Sequence, residues 1–251
     1  MNPILEIKKL NILDAKRKHL VRDLSVSIEP NTVVSIIGPP FSGKTAFLQS
    51  INRLNELYHH IKTEGEILYR GVNIKEMNSS ELRKKTGMVF KNPDLFPFMN
   101  LYENVISGYT LNDIRLSKEE KDALVERCLK DVDLWEHFKN DLTKKPDFTT
   151  KGEKQRLCIA RTIALNPDII LMDEPTCAIS VNCTNKIEDM IYKYKKKSTI
   201  IVATSNISQA ARISDFTMYI NKGELIEYGE TAKLFWNPSD ERTERYINSL
   251  S

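Results

Sequence analysis

The eight residues Gly38-Pro39-Pro40-Phe41-Ser42-Gly43-Lys44-Thr45 fit the pattern G-x-x-x-x-G-K-[ST]. That layout serves one kind of chemistry. A glycine-rich turn lets backbone N–H groups, here those of the non-proline residues from Gly38 to Ala46, converge on an anion, and a helix starting behind it adds its positive dipole end. Lys44 is a point charge for the terminal phosphates, and the Thr45 hydroxyl is a ligand for Mg²⁺. The expected ligand is a nucleoside triphosphate, ATP with Mg²⁺. Two residues of the loop are unusual. Pro40 has no N–H to donate, and Phe41 is bulky where a positive φ would be costly.

A second pair of groups stands at Asp173-Glu174, after the apolar run Ile169-Ile170-Leu171-Met172. A carboxylate at the C-terminal end of a buried strand lies where α/β proteins collect their ligands. Asp173 can hold Mg²⁺ through water, and Glu174 can orient or deprotonate an attacking water. Two solvated turn carboxylates would read the same in isolation; the phosphate loop favours the functional reading. The histidines His19, His59, His60 and His137 match no metal spacing and read as surface residues. The cysteines Cys128, Cys158, Cys177 and Cys183 show no C-x-x-C spacing and read as reduced thiols.

The elements that must position these groups follow from periodicity. Leu5, Ile7 and Leu10, then Leu24, Val26 and Ile28, alternate as in half-buried strands. Val33-Val34-Ser35-Ile36-Ile37 is the continuous run of a strand buried on both faces, leading into Gly38. Phe47, Leu48, Ile51 and Leu54 recur at helical spacing behind the loop. Glu66 to Gly71 and Gly87 to Phe90 read as further strands. Ser117 and Glu120 form a capping-box pattern, followed by a helical face of Ala123, Leu124, Cys128, Leu129 and Val132. Residues 95–162 read as mainly helical and inserted between strands; 169–172 and 199–203 read as buried strands, and the tail from Leu225 as shorter strand and helix. Strands alternating with helices predict a parallel α/β sheet covered on both faces.

The chain of 251 residues is long enough for one large domain with a subdomain. With 41% hydrophobic and 28% charged residues its composition is that of a globular protein. A net charge of +3 is too small to point to nucleic acid. No apolar run approaches the ~20 residues needed to cross a bilayer, and the N-terminal segment has no signal-peptide core. The chain is therefore expected in the cytosol, reaching the cytoplasmic face of a membrane through a partner. Lys193, Lys195, Lys196 and Lys197 read as a solvated helix end.

The loop, the segment Leu171-Met172-Asp173-Glu174-Pro175-Thr176 and the segment Gln155-Arg156-Leu157-Cys158-Ile159-Ala160-Arg161 together resemble the nucleotide-binding subunit of an ABC transporter. Finer features resemble the phosphate-import branch. They include Asn52-Arg53-Leu54-Asn55-Glu56-Leu57, Glu64-Gly65-Glu66-Ile67-Leu68, Gln209-Ala210-Ala211-Arg212-Ile213-Ser214-Asp215 and Asn237-Pro238 with Arg242-Thr243-Glu244. The resemblance implies one ABC domain over residues 1–251: a P-loop NTPase with a RecA-like α/β core, an antiparallel β-subdomain and the helical insert. It also implies a head-to-tail dimer, homodimeric or with a paralogous subunit, in which each phosphate loop faces the other chain's signature motif. Transmembrane permease subunits are the implied partners, near Leu95-Phe96-Pro97-Phe98-Met99, which could equally be plain core.

The chain departs from that family at several positions. Where the signature reads L-S-G-G-Q, Thr149-Thr150-Lys151-Gly152-Glu153 keeps a hydroxyl at Thr150 and a glycine at Gly152 but puts Lys151 where a glycine approaches the partner's γ-phosphate. Lys91 stands for the glutamine that contacts Mg²⁺ and the attacking water, and Ser205 for the switch histidine. Ser180 replaces a carboxylate, and Ile12-Leu13-Asp14-Ala15 lacks the aromatic that stacks on adenine, so weak discrimination between ATP and GTP is expected. Binding is expected to survive and turnover to be slow, or the replacements to compensate in a divergent active enzyme. A nucleotide kinase would need an acceptor pocket and lid that the sequence does not reveal.

Overall fold

The computed structural model describes residues 2–249. Strands β1 (Leu5–Leu13) and β2 (His19–Ile28) pair antiparallel, with Leu5 opposite Ile28 and Leu13 opposite His19. Next come β3 (Val33–Ile37), α1 (Lys44–Ile51), β4 (Lys62–Tyr69), β5 (Val72–Asn73), α2 (Ser79–Lys85) and β6 (Thr86–Val89). Four helices follow before the next strand: α3 (Leu101–Thr110), α4 (Lys118–Asp131), α5 (Trp135–Phe138) and α6 (Lys151–Ala164). The chain then runs through β7 (Ile169–Asp173), α7 (Val181–Tyr194), β8 (Thr199–Ala203), α8 (Ile207–Ile213), β9 (Phe216–Asn221), β10 (Glu224–Glu230), α9 (Thr231–Trp236) and α10 (Glu241–Asn248).

Two sheets result, a four-stranded antiparallel one ordered β2-β1-β4-β5 and a six-stranded one ordered β10-β9-β3-β8-β7-β6. In the second, β9, β3, β8, β7 and β6 are parallel and β10 is antiparallel at the edge. Every residue of β3, β7 and β8 is buried, as their continuous apolar runs require when helices cover both faces. The register aligns Ile36 with Ala203 and Asp173 with Ala203. The C-terminal ends of three central strands therefore stand side by side. Parallel sheets bind ligands at that edge, and here it carries the phosphate loop, Asp173-Glu174 and Thr204-Ser205.

The helical stretch between β6 and β7 closes over its own core of Leu101, Val105, Val125, Cys128, Leu129, Phe138, Leu157 and Ile159, continuous with one face of the parallel sheet. The capping box of Ser117 and Glu120 forms at α4. The expected apolar face of α4 holds for Leu124, Cys128, Leu129 and Val132, but Ala123 is exposed and Val125 is fully buried. Two further capping boxes, Asn100 with Glu103 at α3 and Thr150 with Glu153 at α6, fix where those helices start. The lysine run after α7 is partly paired rather than simply solvated. Lys193 bonds Asp131, and Lys195 Nζ lies 2.6 Å from Asp215 Oδ1. Asp215 also accepts from the Val33 N–H at 2.8 Å, so the pair ties α7 to the start of β3.

Candidate nucleotide site

The loop from Gly38 to Thr45 curls between β3 and α1, and its two glycines have a steric reason. Gly43 has φ +108°, and a β-carbon there would stand 2.2 Å from the Leu20 carbonyl oxygen. Gly38 has φ +152°, and its β-carbon would meet the Ile220 carbonyl at 2.1 Å. Neighbouring backbone closes the outer side of the loop, so any side chain would force it open. Phe41 does adopt the left-handed conformation, with φ +61°, and its ring is fully exposed. It bears strain that no contact repays. Phe41→Gly is expected to raise unfolding stability by about 1 kcal/mol, the order of the left-handed penalty for a side chain. Urea unfolding monitored by circular dichroism measures it, and a loss of stability would refute the assignment of strain.

A cavity of about 550 Å³ opens in front of the loop, and Lys44, Thr45, Lys91, Asp173, Glu174 and Ser205 share its wall. Lys44 is 7% exposed. Its Nζ donates to the Gly38 carbonyl at 2.7 Å and the Pro39 carbonyl at 2.9 Å. Burial pushes this ammonium below its ordinary pKa, against the pull of Glu174 and Asp173, while Lys91 adds to the lowering. The Thr45 hydroxyl donates to Asp173 Oδ2 at 2.9 Å. Burial raises the Asp173 carboxyl above the usual range, opposed by that hydrogen bond. The Ser42 hydroxyl is buried without a hydrogen-bond partner among the described residues. The site is thus a partly dehydrated pair of opposite charges with a spare donor in the loop, suited to a phosphate chain.

Mg²⁺ fits this arrangement. It takes oxygen donors and keeps waters and phosphate oxygens in its shell, and Thr45 and Asp173 bring a hydroxyl and a carboxylate to one point. Among the described residues no cluster of three or more His, Cys, Asp or Glu could hold a metal by itself. The ion would therefore arrive with the phosphates.

Glu174 takes a left-handed turn, φ +45°, as the chain leaves β7. Its N–H donates to the Ala203 carbonyl at 2.8 Å, and its carboxylate accepts from Ser205 Oγ at 3.1 Å. A network behind the pair holds both turns. Gln209 Oε1 accepts from Thr176 and Thr204, each at 3.1 Å, while its amide donates to Glu188, which pairs with Arg212. Gln209 and Glu188 were not assigned roles from sequence. The segment 209–215 is marked in the sequence only by its resemblance to the phosphate-import branch. On the other wall, Gln155 Nε2 donates to the Phe90 carbonyl at 2.9 Å, anchoring the chain one residue before Lys91.

Thr150 and Gly152 lie outside this cavity. The Thr150 side chain is spent on capping α6, donating to Glu153 Oε2 at 2.8 Å, and His137 closes on the same glutamate at 3.1 Å. A β-carbon at Gly152 would stand 2.5 Å from Cys183 Sγ, so the glycine is needed for packing within the chain. Ser180, where the resemblance expects a carboxylate, caps α7 by accepting from the Cys183 N–H at 3.3 Å.

A phosphate loop at the C-terminal edge of a parallel sheet, with a Thr–Asp pair beside it, defines a P-loop NTPase. A family model described as ABC transporter matches residues 21–177, more than half of the chain. The chain belongs to the ABC transporter family, as an ATP-binding cassette. Among solved structures it is similar to a dimeric ATP-binding cassette in a post-hydrolysis state bound to ADP and Pi, at 28% identity and TM-score 0.78, covering 90% of this chain and 98% of that one. It is also similar to cbiO1 from Clostridium perfringens, part of the ABC transporter complex cbiONQ, at 24% identity and TM-score 0.81 over 99% of this chain and 96% of that one. A bacterial Atm1-family ABC exporter with ATP bound matches at 23% identity and TM-score 0.83, over all of this chain (100%) and 42% of that one. The last two likenesses speak for the fold alone.

Proposed function

We propose that the chain is the motor subunit of a phosphate importer, binding Mg·ATP and working in a dimer on the cytoplasmic face of a membrane. The observation that carries nucleotide binding is the cavity where Lys44, Thr45, Asp173 and Glu174 converge. The order of motifs along almost the whole sequence supports the phosphate branch; cargo contacts would lie on other subunits. No helix among the described residues is long and apolar enough to cross a membrane, so the membrane-spanning part of such an importer would come from permease partners. A groove of about 1060 Å³ is available for them, with Phe98, Met99, Tyr102, Trp135 and Leu142 on its wall. Phe98 is 70% exposed there, an apolar ring without cover.

Co-expression with the permease subunits tests this reading. Phe98→Glu is expected to abolish co-purification of the permease while leaving nucleotide affinity unchanged. Reconstituted vesicles should accumulate labelled phosphate in response to ATP. Accumulation of a different cargo would end the phosphate assignment. A second reading, an ATP-binding subunit with impaired hydrolysis that pairs with a competent paralogue, is favoured by Lys91 and Ser205 standing beside Asp173 and Glu174.

A further inference from the structure

We propose that Tyr58 and His60 form the platform on which the nucleotide base stacks; the proposal rests on the nucleotide-site reading above. The cavity whose wall carries Lys44 and Thr45 is lined also by Gln49, Tyr58, His60 and Ile61. The loop holds the phosphates, so the base must rest on wall residues outside the loop, and Tyr58 and His60 are the rings among them. Tyr58 and His60 have ring centroids 5.9 Å apart at 59°. Tyr58 is 47% exposed, so its ring is available to a ligand.

Their position follows from strand register. Leu13 pairs with His19 on one side and with Lys62 on the other. The chain entering β4 is therefore carried alongside the turn between β1 and β2. That turn has no ring to offer. It runs Asp14-Ala15-Lys16-Arg17-Lys18, folded on itself by Asp14 Oδ1, which accepts from the Lys16 and Lys18 N–H groups at 2.8 and 2.9 Å. The segment before β4 supplies two rings to the wall of the same cavity. Gln49, half-buried beside them, offers an amide to the ribose or base edge. Every base has a π-face, so a stacking platform grips ATP and GTP alike. Weak discrimination between the two nucleotides would then follow from this shared π-face, and not from the want of a ring.

Binding of Mg·ATP, Mg·GTP and Mg·tripolyphosphate to the full chain separates base from phosphate recognition. Tyr58→Ala is expected to weaken both nucleotides about tenfold, within the range of aromatic–base stacking, and to leave tripolyphosphate unchanged. Tyr58→Phe should bind all three as the wild type does. His60→Ala should weaken the nucleotides only. If Tyr58→Ala leaves nucleotide affinity intact, or lowers all three ligands equally, the platform is refuted while the phosphate site stands. If the wild type binds neither tripolyphosphate nor nucleotide, the nucleotide-site reading falls and the platform with it.

Discussion

Replacing Lys44 by alanine is expected to lower the affinity for Mg·ATP about thirtyfold or more. Lys44 is the loop's buried cation, held within hydrogen-bond distance of two carbonyls and under the electrostatic influence of Asp173 and Glu174. Truncating one member of a buried, hydrogen-bonded charge pair costs about 2–5 kcal/mol in binding, and each ~1.4 kcal/mol is tenfold in affinity. The loss should be shared by ATP, GTP and tripolyphosphate, since the ammonium addresses phosphate. It should not be repaired by raising Mg²⁺, because Thr45 and Asp173 remain. Lys44 also braces Gly38 and Pro39, so the melting temperature of the variant must be measured beside its affinity. A folded Lys44→Ala chain with wild-type affinity would remove the phosphate site from the protein.

The groups on which that prediction rests were legible in the sequence, each by its own local signal. The loop is a spacing motif, and Asp173 follows a run of four apolar residues. Val33–Ile37, Ile169–Asp173 and Thr199–Ala203 were readable because central parallel strands are buried on both faces and leave no polar register to interpret. Their adjacency was not readable. Thr45 and Asp173 are 128 residues apart, and only the strand order brings them together. His60 reads only as a surface residue for a related reason. It lies in a polar stretch without periodicity, and its position depends on β4 pairing with β1. On α4 the face was legible except at one residue: Ala123 and Val125 are both small apolar residues, and packing, not pattern, buries Val125 and leaves Ala123 exposed. Thr150 to Glu153 is read in the sequence only through its resemblance to a signature segment; its spacing is also Thr-x-x-Glu, and the structure uses it as the capping box of α6.

Turnover by the wild-type chain is expected to be slow, and the triple variant Lys91→Gln, Lys151→Gly, Ser205→His is expected to raise kcat by about 10²–10³. Binding requires charge complementarity, which Lys44, Thr45 and Asp173 supply. Turnover also requires groups aimed at the transition state. Lys91 brings an ammonium to the wall that carries Asp173 and Glu174, and its charge acts on both Asp173 and Lys44. A cation there would compete with a bound Mg²⁺ for the field of Asp173. Ser205 donates to Glu174 Oε2 at 3.1 Å and leaves Oε1 open, so it brings neither the charge nor the reach of a histidine to that wall. Lys151 is exposed in the first turn of α6, where a second chain's terminal phosphate would approach. One well-placed transition-state contact is worth about 10²–10³ in rate, and groups that act as a unit do not add. Three reversions together should therefore gain about what one restored contact is worth, with ATP affinity within about threefold of the wild type. Steady-state ATPase, measured alone and with the membrane subunits, provides the comparison. Ser205→Ala separates loss of the Glu174 bond from gain of the histidine: it should leave kcat well below the triple variant. A wild-type chain already turning over at ~1–100 s⁻¹, the range of ordinary phosphoryl-transfer enzymes, would overturn suppression and leave the divergent but active motor.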